Sequence, residues 1–319
     1  MNLRRLKYFL KIVDVGSLTQ ASEVLHVAQP ALSQQLATLE GEFKQKLLVR
    51  TQKGVVPTEA GKALYAHAQI ILRQFQQAQA DVLNAGRTLA GQVSIGLAPG
   101  TAALALALPL LQAVHARHPQ IVLHLNEDFG TTLCDVVRNG RMDMAVLYGG
   151  VDATPGLSFE PLLTEELFVV ARPGMLRSDV RGRGVEQSGD VSLADLAQVD
   201  LLLPCTGNQL RRYLDQSFAS SRIAPRVVAE MESSNTLAAA IASGIGATLL
   251  PVSAARAVAA TADAQMRRVV APVVEVPLVL CASDHLPHSE PAQAVKAIIL
   301  ELVGRLEMEA GLHTAQGRG

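Results

Sequence analysis

Tryptophan is absent from this 319-residue chain, aromatic residues make up only 3%, and there are three cysteines. With 49% hydrophobic residues the chain is globular, and its cores must be aliphatic. Cys134, Cys205 and Cys281 lie dozens of residues apart. None has a partner at metal-ligand spacing, and an odd number argues against a disulfide framework, so a reducing cytosol is expected. Cys205, about seventy residues from either of the others, reads as a buried inert thiol rather than a redox sensor. The spaced pairs His115/His118 and His285/His288 lack a carboxylate to complete a metal set, and Pro119 and Pro287 interrupt them. Long apolar runs are missing too. Leu237–Ala255 carries no charge, yet it is mostly Ala, Gly and Ser with Gly244, Gly246 and Pro251 inside. It reads as a buried helix, a turn and a strand, so no membrane is expected as a partner. Arg4, Arg5, Lys7 and Lys11 leave no apolar core for a signal peptide. There is no Walker A or GxSxG motif, and Gly244-Ile245-Gly246 lacks the third glycine of a dinucleotide loop. With no acid/base or nucleophile set either, neither an enzyme nor a cofactor is expected.

Charge is scarce, at 18% of residues with a net −1, but it is unevenly placed. Residues 1–90 hold eleven Lys/Arg against six Asp/Glu, and the remainder 17 against 23. A basic head on an acidic body points to a polyanionic partner for the head alone. The length suggests about two domains. Apolar residues at Leu3, Leu6, Phe9, Leu10 and Val13 mark a first helix, and Ser17 can cap a second through Leu25. After His26-Val27-Ala28, a third helix carries Pro30 in its first turn and the stripe Leu32, Leu36, Leu39, Phe43. Two short strands flank Lys53-Gly54. From Thr58 to about Leu89 runs a long helix in which Leu64, Ala68, Ile71, Phe75, Ala78 and Val82 keep a 4-3-4-3-4 spacing, the pattern of a self-association seam. Beyond Gly91, strand-like and helix-like segments alternate: Val93–Leu97, a helix to about His115, Ile121–Asn126, a helix over Thr132–Asn139, Met142–Leu147, Leu167–Ala171, Leu201–Leu203, Arg226–Glu230, a helix near Asn235–Ser243, and Thr248–Pro251. That rhythm predicts an α/β sheet with buried parallel strands. Ser178–Asp190, rich in Arg, Gly and Ser, reads as a loop.

Residues 18–43 have the two-helix arrangement that docks in a DNA major groove, with Gln29, Pro30, Ser33 and Gln34 on the outward face of the second helix. Gln and Ser can pair with base edges, whereas Arg50 and Lys53 beside the hairpin are suited to phosphates. An ordinary helical domain with a polar solvent face fits the periodicity equally well.

The segments ASEVLHVAQPALSQQLATLEGEF and LLVRTQKGVVPTEAG resemble the N-terminal domain of LysR-type transcriptional regulators. GRMDMAVLYG and ESSNTLAAAIASGIGATLLP resemble motifs of the two lobes of that family's effector domain. The resemblance implies a winged helix-turn-helix over 1–58 (helix-turn-helix about 18–37) and a linker and dimerisation helix over 59–90. It further implies a two-lobed, periplasmic-binding-protein-like α/β effector domain: lobe I at 91–162 and 266–305, lobe II at 163–265, and a tail at 306–319. It implies a cytoplasmic, sequence-specific regulator on double-stranded DNA with an inverted-repeat site, dimeric and in turn tetrameric, with RNA polymerase a candidate partner. By position it sets Gly100-Thr101, Cys205-Thr206 and Ser234-Asn235 around an effector cleft. Helix N-termini there suit a small carboxylate, although Ser and Thr at helix starts are ordinary caps, and the existence of an effector stays open. A solute-binding protein without sequence preference for DNA is the alternative of another class. Two positions depart from the family pattern: Ala28 offers no side-chain cap, a loss of about 1 kcal/mol, and Lys44 stands where glycine usually follows the recognition helix, at a cost of roughly 1 kcal/mol if the turn is left-handed.

Overall fold

The computed structural model describes residues 2–51, 54–84, 89–98, 102–149, 154–176 and 189–310. Lys53, Gly100, Thr101 and most of the loop at 178–190 lie outside the described residues. Packing divides the chain into two units, Met1–Arg87 with Asn139–Arg141, and Thr88–Arg138 with Met142–Gly319.

In the first unit, α1 (Leu3–Val15) starts where the Asn2 side chain accepts from the Arg4 amide and stops at Gly16, which takes φ 68°. Ser17 accepts from the Gln20 amide to start α2 (Leu18–Val24). Next come α3 (Gln29–Phe43), the antiparallel hairpin β1 (Leu48–Thr51) and β2 (Gly54–Pro57), and α4 (Glu59–Asn84). Leu6, Phe9 and Ile12 of α1 pack with Leu32 and Leu39 of α3 and with Leu47 and Val55 of the hairpin. Each such side chain contributes about 1.5–3 kcal/mol by leaving water. Two glycines permit this closeness. A Cβ on Gly61, in the first turn of α4, would lie 2.0 Å from the Leu47 carbonyl oxygen, and one on Gly54 (φ 122°) would lie 2.4 Å from that of Gly16.

Two readings of apolar stripes need correction here. Phe43 is exposed, because α3 has outrun the small core by its last turn. Ala68 is wholly buried in its own unit, with Leu64 and Ile71 packed partly against the same core, so Ala68 is no part of a seam between chains. The exposed part of that stripe is Phe75, Ala78 and Val82, the last 78% accessible.

The second unit contains β3 (Gly91–Leu97), α5 (Ala102–Arg117), β4 (Ile121–Glu127), α6 (Gly130–Arg138), β5 (Met144–Tyr148) and β6 (Leu157–Ala171). It continues through β7 (Val191–Ser192), a 3-10 turn at Ala194–Gln198, β8 (Asp200–Leu203), α7 (Gln209–Ser220), β9 (Arg226–Glu230) and α8 (Ser234–Ser243). It ends with β10 (Thr248–Pro251), α9 (Val252–Ala262), β11 (Gln265–Ala271), β12 (Glu275–Ser283) and α10 (Glu290–Ala310). The main sheet runs β4-β3-β5-β12-β6-β11-β7, with β10 also on β6, and β8 pairs β9 separately.

The expected parallel pairing holds for β3 with β4 and β5, for β8 with β9, and for β11 with β7. It fails along the long strand β6, which pairs antiparallel with β12, β10 and β11. At about 3.3 Å per residue its 15 residues span roughly 50 Å, enough to serve two sheets in succession. Its first part pairs with β12 of one lobe and its far part with β10 and β11 of the other. By this pairing β11 goes with the second lobe, and the return to the first falls between β11 and β12 rather than at residue 266.

Glu165 on β6 is buried. It accepts from the Tyr148 hydroxyl of β5 and, at 2.8 Å, from the Ser253 amide in the first turn of α9. Burial and then the Glu165 charge push the Tyr148 hydroxyl well above its ordinary pKa. No helix among the described residues is long and apolar enough to cross a membrane.

Candidate nucleic-acid interface

The recognition face is built from a helix that begins without a side-chain cap. Ala28 supplies none, and Pro in the first turn fits where an amide has no helical partner anyway. Burying Leu32 and Leu39 turns Pro30 and Gln34 to solvent and leaves Gln29 and Ser33 partly exposed. None of the Gln29, Ser33 and Gln34 side chains makes a hydrogen bond to another described residue. Their donors and acceptors therefore face water. Ser33 and Arg50 line one small cleft of about 160 Å³ between α3 and the hairpin, with Lys46 on its rim. The exposed Arg50 has no ion-pair partner among the described residues.

What fixes the hairpin against α3 is Glu40, a residue that sequence reading passed over. Its Oε1 accepts from the Leu47 amide at 3.0 Å and the Leu48 amide at 3.4 Å, and its Oε2 accepts from Lys46 Nζ at 2.7 Å. Burial raises the Glu40 carboxyl pKa, but these three donors outweigh it and hold the carboxyl below its ordinary value. Lys44 takes the left-handed conformation at φ 52°, and its amide reaches the Glu40 and Gly41 carbonyls. The left-handed turn after α3 is thus made here by lysine rather than glycine. Only the spacing of an acidic residue eight positions before a buried strand start could have signalled Glu40.

The described residues expected around an effector cleft sit in the second unit. Cys205 and Thr206 follow β8, and Ser234 and Asn235 open α8, where Ser233 accepts from the Thr236 amide as an ordinary cap. Cys205 is half-buried rather than fully buried; burial, with Glu232 beside it, raises its thiol pKa. Glu232, not anticipated, accepts from the Cys205 amide at 2.8 Å and from the Asn208 side chain at 2.9 Å. Arg211, with its side chain nearly buried, donates to the Pro204 carbonyl, Glu230 and Asp215, each at 2.8 Å. The cysteines also depart from expectation. Residues far apart in sequence meet, for Cys134 of α6 packs against the buried cluster that holds Cys281 of β12. No group of three or more potential metal ligands occurs among the described residues.

A winged helix-turn-helix and a two-lobed α/β domain carried on one chain define a DNA-binding regulator with a sensor-type domain. The model described as "Bacterial regulatory helix-turn-helix protein, lysR family" matches residues 3–62, and that of the "LysR substrate binding domain" matches residues 86–304. The chain belongs to the LysR family of transcriptional regulators. It is 50% identical to the nitrogen assimilation regulatory protein nac of Klebsiella aerogenes and 48% identical to that of Escherichia coli K12, over 97% of each chain. Among solved structures, a full-length OxyR variant from Pseudomonas aeruginosa matches with TM-score 0.71 at 23% identity, covering 100% of this chain and 99% of that one. Full-length CbnR complexed with its target DNA matches with TM-score 0.66 at 24% identity, covering 96% and 99%. These two likenesses bear on fold.

Proposed function

We propose that this protein controls nitrogen assimilation genes by binding an inverted-repeat operator as a homo-oligomer. The identity to the two nitrogen assimilation regulatory proteins over 97% of their length supports the pathway. One observation carries the binding mode: Gln29, Ser33 and Gln34 are unengaged within their own domain, and Ser33 shares a cleft with Arg50. In this reading Gln29, Ser33 and Gln34 read base edges, with Pro30 shaping the approach, and Arg50 and Lys53 hold phosphates. Symmetric pairing of two such heads makes the site a repeat of inverted halves. The exposed Phe75, Ala78 and Val82 of α4 support a dimer. Exposed Leu108 and Leu111 on α5, Val122 on edge strand β4 and Val228 on β9 support a further contact between effector domains, giving a tetramer. Glu232 already occupies the donors of the Cys205 loop with a carboxylate. A second carboxylate there would meet like-charge repulsion, which favours regulation without a small carboxylate effector on that loop.

Footprinting on genomic fragments tests this. Gln29→Ala and Ser33→Ala are each expected to lose about 1–3 kcal/mol on the specific site and to relax preference at one position per half-site. A protected site without inverted symmetry, or variants that read the same bases as the parent, would refute it.

A further inference from the structure

We propose that Cys134 and Cys281 form an oxidation site, at which a two-electron oxidant of the peroxide class, reaching Cys134 through the cavity between the two lobes, closes an intramolecular disulfide. Cys281 lies within β12, opposite Ala145 of β5 and Phe159 of β6, and is fully buried. Cys134 lies on α6, which packs on that strand, and it is partly accessible and packs against the buried cluster to which Cys281 belongs. The cavity of about 550 Å³ exposes Cys134 with Thr131, Asp135 and Arg138 on one wall, facing Arg212 and Tyr213 of α7 on the other. One cysteine thus borders the cavity and the other lies in the buried cluster it packs on, the arrangement of an attacked and a resolving cysteine.

Electrostatics agree with this division. The hydrogen bond from Cys281, opposed by burial and aided by Arg138 one turn away, lowers the Cys134 pKa, while the same contact and burial push the Cys281 thiol far up. Cys134 is therefore the better nucleophile of the two. Its sulfur attacks one peroxide oxygen. An S–O bond forms, the O–O bond breaks, and the leaving hydroxide takes up the proton released by Cys134 to become water. The Cys281 sulfur then attacks the Cys134 sulfur of the sulfenic acid, forming S–S and breaking S–O, and the departing hydroxide takes the Cys281 proton as a second water. In sum, two thiols and one hydrogen peroxide give one disulfide and two waters. The bond would pin α6, and with it one wall of the cavity, to the central sheet. Cys205, held beside Glu232 in another loop, is the internal control.

The test treats reduced full-length protein with stoichiometric hydrogen peroxide and then alkylates with N-ethylmaleimide. The chain should take one label, on Cys205, in place of three. Before alkylation it should be lighter by two hydrogen atoms, run as a single chain on a non-reducing gel, and yield a linked 134–281 peptide that dithiothreitol releases. In Cys281→Ser, Cys134 should accumulate as a sulfenic acid trapped by dimedone; in Cys134→Ser, Cys281 should keep its label. Three labels retained by the parent protein, a disulfide involving Cys205, or oxidation of Cys281 in Cys134→Ser at the parental rate would each overturn the proposal.

Discussion

Replacing Glu40 by alanine should loosen the hairpin from the recognition helix, and the geometry gives the size of the effect. The Leu47 amide loses a charged acceptor at 3.0 Å in a buried setting, a loss of about 1.5–3 kcal/mol. The Leu48 amide at 3.4 Å loses a weaker bond, and Lys46, whose side chain is 79% exposed, adds about 0–1 kcal/mol. Together these make roughly 2–4 kcal/mol. Hydrogen exchange reads this locally, without requiring the whole chain to unfold in one step. The Leu47 and Leu48 amides should exchange about 30- to 1,000-fold faster in Glu40→Ala, at about 1.4 kcal/mol per decade. Glu40→Gln keeps an acceptor oxygen without the charge and should fall between the two. The contribution also has a pH signature. Because the folded carboxyl pKa lies below the unfolded one, the stabilisation is complete above the ordinary glutamate value of about 4.3 and fades as pH drops through the folded value. Unchanged protection of both amides in Glu40→Ala at neutral pH would refute the reasoning.

Arg50→Ala should weaken binding to all DNA sequences alike and reduce the salt-dependence slope by about 1; an altered base preference would contradict its role as a phosphate contact. Phe75→Glu together with Val82→Glu should lower the oligomeric state measured by analytical ultracentrifugation while leaving the fold of the first unit intact, because both side chains are exposed. An unchanged assembly would remove α4 from the interface. Glu165→Ala strands the Tyr148 hydroxyl and the Ser253 amide, each worth about 1–3 kcal/mol, and should move the denaturation of the second unit to lower urea without shifting that of the first. Coincident shifts of both transitions would place the effect elsewhere.

By itself, the sequence determined what depends on neighbours along the chain. The helix start at Ser17, the α3 stripe through Leu39, the absence of a cap at Ala28 and the alternation of strands with helices are all local, since capping and periodicity act within a few residues. The outward set Gln29, Pro30, Ser33 and Gln34 was legible for the same reason, being whatever the apolar stripe leaves outside. Only the tertiary structure decided the pairings between distant segments. It placed Ala68 inside its own core, made β6 an antiparallel bridge serving two lobes, laid Glu40 beneath the hairpin, and set Glu232 on the Cys205 loop. It also brought together Cys134 and Cys281, which are 147 positions apart in the chain. A pattern of one helix or strand says which face is buried but not what covers it, and these features are each a choice of cover.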